Sequence, residues 1–148
     1  MHLSGSDIED RLHTDAVDAH VAQHSANVEL RHIVNAAIRS LTQNTDAVIE
    51  GRDIGTVVYP DALLKVYLDA TPLVRAKRRF GQGISAKTVE ELAANIQMRD
   101  EIDRNKKEGS LKVAPDAFYL DTSHLTIEEV CERVIHKFLL SKSPLSGS

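Results

Sequence analysis

Ala47-Val-Ile-Glu-Gly-Arg-Asp-Ile-Gly-Thr56 decides how the chain reads. A short apolar run reaches Gly51, and an arginine–aspartate pair follows at once. Such a run, stopped by glycine, predicts a strand over 47–50. The pattern returns downstream. Leu63-Leu-Lys-Val-Tyr-Leu68 predicts a second strand that ends at Asp69, and Phe118-Tyr-Leu120 a third that ends at Asp121-Thr-Ser123. Helical spacing surrounds them. Leu30, Ile33, Val34, Ala37, Ile38 and Leu41 recur on one face of a helix over 28–41. Further helices are predicted over 72–80, 87–106 and 127–140, with a weakly helical stretch over 15–23. Thr126 and Glu129 have the spacing of a capping box for the last helix, whose buried face is read as Ile127, Val130, Val134 and Phe138. Strands alternating with helices predict an α/β fold with a parallel sheet. Each strand ends in a polar cluster, where open α/β sheets bind their ligands.

The composition narrows the function classes. The 148 residues are 42% hydrophobic and 27% charged, which suits one globular domain. Lysine plus arginine total 18 against 22 carboxylates, a net charge of −4. That balance argues against gripping nucleic acid or anionic lipid over a whole surface. A lone cysteine, Cys131, excludes an internal disulfide framework and a cysteine-based zinc site. The seven histidines show no metal spacing. No apolar run approaches the ~18 residues of a membrane span. The opening residues lack the form of a secretory signal. A cytoplasmic setting is expected, and the Ser/Gly/Pro-rich residues 141–148 read as a flexible tail.

Several cations stand out against the acidic balance. Arg52 follows the first strand, and its planar fork suits a phosphate; Asp53 beside it is placed to orient that arginine or a hydrated Mg²⁺. Gly51 and Gly55 would let the backbone turn and approach a ligand. A surface salt bridge in a turn is the plainer alternative. Arg75 and Arg79 lie four apart on one helix face, fit for a polyphosphate or simply a solvated basic face. In the 87–106 helix Val89, Leu92 and Ile96 form an apolar stripe. Its continuation reaches Arg99 and Asp103, with Asp100, Arg104 and Lys107 around them. Polar residues there line a cleft or a frayed helix end. Together with Arg31, these arginines suit a small polyanion held in a cleft, with catalysis by positioning and charge stabilisation.

The ordered blocks resemble bacterial cytidylate kinases. They are Leu3-Ser-Gly-Ser-Asp-Ile-Glu-Asp10, Val28-Glu-Leu-Arg31, Glu50-Gly-Arg-Asp-Ile-Gly-Thr-Val-Val-Tyr-Pro-Asp-Ala62, Lys65-Val-Tyr-Leu-Asp-Ala70, Arg75-Ala-Lys-Arg-Arg79, Arg99-Asp-Glu-Ile-Asp103 and Asp116-Ala-Phe-Tyr-Leu-Asp-Thr-Ser123. The resemblance covers residues 2–140. It implies a P-loop nucleoside monophosphate kinase that moves the γ-phosphoryl of ATP to CMP or dCMP with Mg²⁺. By the same resemblance Arg31, Arg52 and Asp53 belong to the acceptor-phosphate site. Arg99 and Asp103 read the cytosine and support the acceptor, Lys106 is a further substrate-binding position, and Arg75 and Arg79 meet the donor ATP at the start of a lid. Arg52, Asp53 and Arg79 are thus the catalytic candidates. No metal ligand is assigned. Shikimate or gluconate kinase is the enzymatic alternative.

The sequence also departs from that family. No GxxGSGKS-type run occurs in it, so the phosphate nest, its lysine and its Mg²⁺-binding hydroxyl are missing from these residues. The expectation is an incomplete fold whose first strands are lacking. Residues 1–43 would be the CMP-binding insertion and the helix after it. Residues 44–140 would be the rest of the kinase core, with a lid over 80–107. The strands at 47–50 and 63–68 would flank the absent central strand and expose edges. A truncated kinase with little activity alone is expected. A non-catalytic nucleotide-binding remnant, and one half of a split kinase whose other half supplies the loop in trans, are the alternatives; the N-terminal segment with the loop is expected in cis or in trans. A serine that touches nucleotide in the family falls near Ala22. An arginine of the family is Lys106 here, which keeps the charge and loses the fork.

Overall fold

The structure, a computed structural model, describes residues 2–3, 6–7, 17, 20, 24, 27–83, 85–105 and 110–142. Its elements in order are β1 (His2–Leu3), β2 (Ser6–Asp7), α1 (Val28–Leu41), a π-helical turn (Ile54–Val58), β3 (Val66–Asp69), α2 (Pro72–Gly81), α3 (Val89–Arg104), β4 (Phe118–Asp121) and α4 (Ile127–Lys142). β1 and β2 form a two-residue antiparallel pair, too short to show as an alternating pattern in the sequence.

β3 and β4 run parallel, with Val66 opposite Phe118 and Asp69 opposite Asp121. Tyr67 stacks on Tyr119 across the pair, ring centres 5.6 Å apart. Beyond the last rung the Thr122 amide and hydroxyl both donate to the Asp69 carbonyl, at 2.8 and 2.9 Å. The polar ends foreseen for the second and third strands are therefore one structure.

The helices begin where the capping residues direct. Asn27 Oδ1 accepts from the Leu30 amide, and Thr71 Oγ1 accepts from the Val74 amide behind Pro72. Thr88 with Glu91, and Thr126 with Glu129, close reciprocal capping boxes. α2 packs on α3, and Ala76 and Leu92 are buried there. Val58, Ala70, Ala114 and Leu120 make up the rest of the buried apolar set among the described residues.

Two expectations are corrected. Residues 46–51 are irregular, and Val48 is fully exposed. A strand exists only through its ladder, and among the described residues no strand runs beside 47–50. The apolar faces of α1 and α4 are also uncovered. Neither helix has a buried residue, and Ile33, Leu41 and Ile127 are 62%, 80% and 78% exposed. Val130 and Val134 are only half-buried, and Phe138 is exposed. Of the weakly helical 15–23 stretch only Val17 and His20 are described, and both are helical. Residues 106–109, Lys106 among them, and residues 143–148 of the tail lie outside the described residues.

Candidate functional site

The site grows from the loop that follows residues 47–50. Gly51 and Gly55 have ordinary backbone angles; among the described residues the glycine with positive φ is Gly83. Their role is steric. A Cβ on Gly51 would stand 2.7 Å from Ile54 Cγ1, and one on Gly55 would stand 3.3 Å from the Lys65 stem. The chain then enters the wider π-helical turn, closed by the Tyr59 amide donating to the Ile54 carbonyl at 2.7 Å, while the Val57 amide donates to the Asp53 carbonyl at 2.8 Å. π turns often mark functional positions. This one fixes Arg52 and Asp53 just ahead of it.

α1 is tied to that loop by polar contacts. Arg39 donates to the Val57 and Val58 carbonyls at 2.9 and 3.1 Å, and Thr42 Oγ1 hydrogen-bonds the Tyr59 hydroxyl. One turn into the helix, Arg31 forms an ion pair with Asp53. The neighbour therefore orients Arg31, a residue from another segment, and not Arg52 as the sequence suggested. Arg52 pairs instead with Asp103 of α3. Arg99 Nε stands 4.0 Å from the same carboxylate oxygen.

Residues 31, 52, 53, 99 and 103 thus meet from three segments. Asp53 and Asp103 are buried, and the Asp103 side chain is only 4% exposed, whereas that of Arg52 is 39% exposed. The stripe of α3 does turn polar as it points inward. Among the described residues three guanidinium groups and two carboxylates gather here. Such a cluster suits an anion that replaces water around partly exposed forks.

Arg75 and Arg79 stand apart from this group, on α2. Arg75 donates through Nε to the Ala70 carbonyl at 3.0 Å and through Nη1 to Asp100 Oδ1 at 3.1 Å; Nη2 meets Asp100 Oδ2. Arg79 follows one turn later, half-buried. Arg78 between them donates to Thr122 Oγ1 at 3.1 Å and so holds α2 to the end of β4. Tyr119 donates to Asp69 Oδ2 at 2.6 Å, which pushes its hydroxyl up to about 12.

Asp100 is the member that the sequence reading left among the surrounding charges. Its position carried a signal, because it follows Leu92 and Ile96 at the helical interval and shares their phase. Burial pushes its carboxyl up, but the Arg75 hydrogen bonds and the charges of Arg75, Arg104 and Arg52 outweigh that, so it ionises below the ordinary range. A depressed carboxylate adds stability that is complete above its unfolded value, about 3.9, and is lost as pH falls through the folded value. We expect Asp100→Asn to be less stable than the wild type at pH 7, with the gap closing below about pH 4. Urea unfolding at a series of pH values measures this. A gap that holds constant down to pH 3 would count against the ion pair.

Among the described residues no group of three His, Cys, Asp or Glu side chains gathers to hold a metal ion, and Asp53 is engaged by Arg31. These residues do not fit a Mg²⁺ site of their own.

Comparison with known proteins bears on the whole set. A family model described as cytidylate kinase matches residues 1–139. Cytidylate kinase 1 of Borrelia garinii subsp. bavariensis is 41% identical over 142 residues, which is 95% of this chain and 64% of that protein. Cytidylate kinase 1 of Borreliella burgdorferi is 42% identical over the same length and with the same coverage. The cytidylate kinase of Borrelia duttonii is 42% identical over 142 residues, 65% of its length. The chain spans about 64% of the length of the curated relatives it matches.

Proposed function

The chain belongs to the cytidylate kinase family, and on that footing we propose that its arginine–aspartate cluster is the acceptor side of a (d)CMP kinase. The reaction would transfer the γ-phosphoryl of ATP to CMP or dCMP, giving ADP and the diphosphate. The convergence of Arg31, Arg52 and Arg99 on Asp53 and Asp103 carries this reading.

The division of labour follows from chemistry. Arg31 and Arg52 offer forked donors to the acceptor phosphate. Asp53 holds Arg31 so that the fork is set before the ligand arrives. A carboxylate accepts from the amino group of cytosine and a guanidinium donates to its ring acceptors, so Asp103 and Arg99 suit the base. Phosphoryl transfer asks little covalent chemistry of a protein; positioning and charge stabilisation supply most of the rate. Arg75 and Arg79 on α2 are our candidates for the donor phosphates, with Arg75 already joined to Asp100 and Ala70. Lys106 is our candidate for a further acceptor contact. We divide the chain functionally into an acceptor-binding region over 1–43 and a core with a lid over 44–140. No helix of the described residues is long and apolar enough to cross a membrane, and a cytoplasmic setting suits the substrates.

The sequence holds no GxxGSGKS run. We therefore expect these 148 residues to bind CMP and to turn it over poorly without such a loop. Titration calorimetry with CMP and a coupled ATP/CMP assay test the two halves. A chain that binds no CMP overturns the acceptor reading. Robust turnover by the chain alone overturns the part assigned to the loop.

A further inference from the structure

Past Ile96, every buried side chain of α3 is a carboxylate: Asp100 and Asp103. Met98 and Ile102 on the same stretch are exposed, at 57% and 47%. The second half of the helix therefore has no buried apolar anchor, yet it carries Arg99 and Asp103 to the cluster. We propose that Asp100 is a positioning residue, which through Arg75 fixes the rotation at which α3 presents Asp103 and Arg99 to Arg52. The inference rests on the reading of this cluster as the acceptor site and names what orients it.

The Arg75 fork is suited to that work. One planar group joins the end of β3, at the Ala70 carbonyl, to both oxygens of Asp100. A bidentate pair fixes direction as well as distance, which a lysine at the same place could not do. Asp100 and Asp103 lie three residues apart, so they sit about 60° apart around the helix and roughly 4.5 Å apart along it. A rotation that frees one carboxylate therefore moves the other. With side chains reaching about 5–6 Å from the axis, a turn of some 20° shifts a carboxylate by about 2 Å. That is enough to break a contact of hydrogen-bond length. The charges of Arg52 and Arg104 also act on Asp100, which places that end of the strut within electrostatic reach of the cluster.

Asp100→Asn, Arg75→Lys and the double variant test this in the 148-residue chain, with CMP and UMP titrated by calorimetry. Each single change is expected to weaken CMP binding about tenfold and to narrow the preference for CMP over UMP. A general loss of structure would lower both affinities alike. The double variant should bind no more weakly than either single one, because both break the same strut. Unchanged CMP affinity in both folded single variants, or losses that add, would overturn the assignment. Arg75→Lys keeps the test alive if Asp100→Asn does not fold. If the wild-type chain binds no CMP, the acceptor reading has failed, and the ¹⁵N side-chain resonances of Arg52 and Arg99 then decide the strut by themselves. Shifted or broadened Nε–Hε signals in Asp100→Asn sustain it; unmoved signals overturn it.

Discussion

Arg52→Ala is expected to lower CMP-dependent turnover by on the order of 10³ or more, in a chain extended to the length of its curated relatives and carrying a phosphate-binding loop. Two losses combine. The acceptor phosphate forfeits a forked cation where charge builds in the transition state, and in a site that excludes water such a cation counts for more than it would in solution. Asp103, buried within the fold, also loses an ion-pair partner and keeps Arg99 at 4.0 Å. Arg99, beside the same carboxylate oxygen, still offers it a cation, so the fold should survive at some cost in stability. The fall should appear in kcat as well as in KM, which marks a contact that strengthens in the transition state. Arg52→Lys should recover only part of the rate, since it restores the charge without the fork. Initial rates in the coupled ATP/CMP assay measure all of this. A loss under tenfold in Arg52→Ala would make Arg52 peripheral.

The sequence made some of this arrangement legible, and the pattern of success is physical. α1 runs from Val28 to Leu41, the limits that its 3.6-residue spacing predicts, because periodicity is a local property. The polar continuation of the α3 stripe was legible for the same reason: helical phase alone places Asp103 on the inward side. The apolar run at 47–50 misled, since a strand is not local. It needs a neighbour that its own residues do not specify. Which carboxylate meets which arginine was equally hidden. Asp53 adjoins Arg52 in the chain but pairs with Arg31, twenty-two residues away. Asp100 shows a subtler failure: its phase was visible, but its charge made it look like surface. Its partner, Arg75, comes from a different helix, and only packing reveals why a carboxylate can be buried there.

Asp103→Asn carries the second large effect. The side chain keeps its shape and loses its charge, so the change acts on chemistry more than on packing. Asp103 is buried and faces both Arg52 and Arg99. Removing one side of a buried charge pair commonly costs about 3–5 kcal/mol, because the other charge stays behind. Here the cost should fall near the lower limit, as both arginines are partly exposed and can turn toward water. Binding should suffer selectively. A carboxylate accepts from the cytosine amino group, and a hydrogen bond to a charged partner contributes about 1.5–3 kcal/mol. CMP affinity should therefore fall roughly 10- to 150-fold. UMP presents a carbonyl where CMP presents the amino group, and the new amide can donate to it. Its affinity should hold or rise, so the preference between the two bases collapses or inverts. Calorimetry with both nucleotides on the folded variant measures that ratio. An equal loss for CMP and UMP would mean that Asp103 merely holds the arginines in place, and that the base is read by other residues.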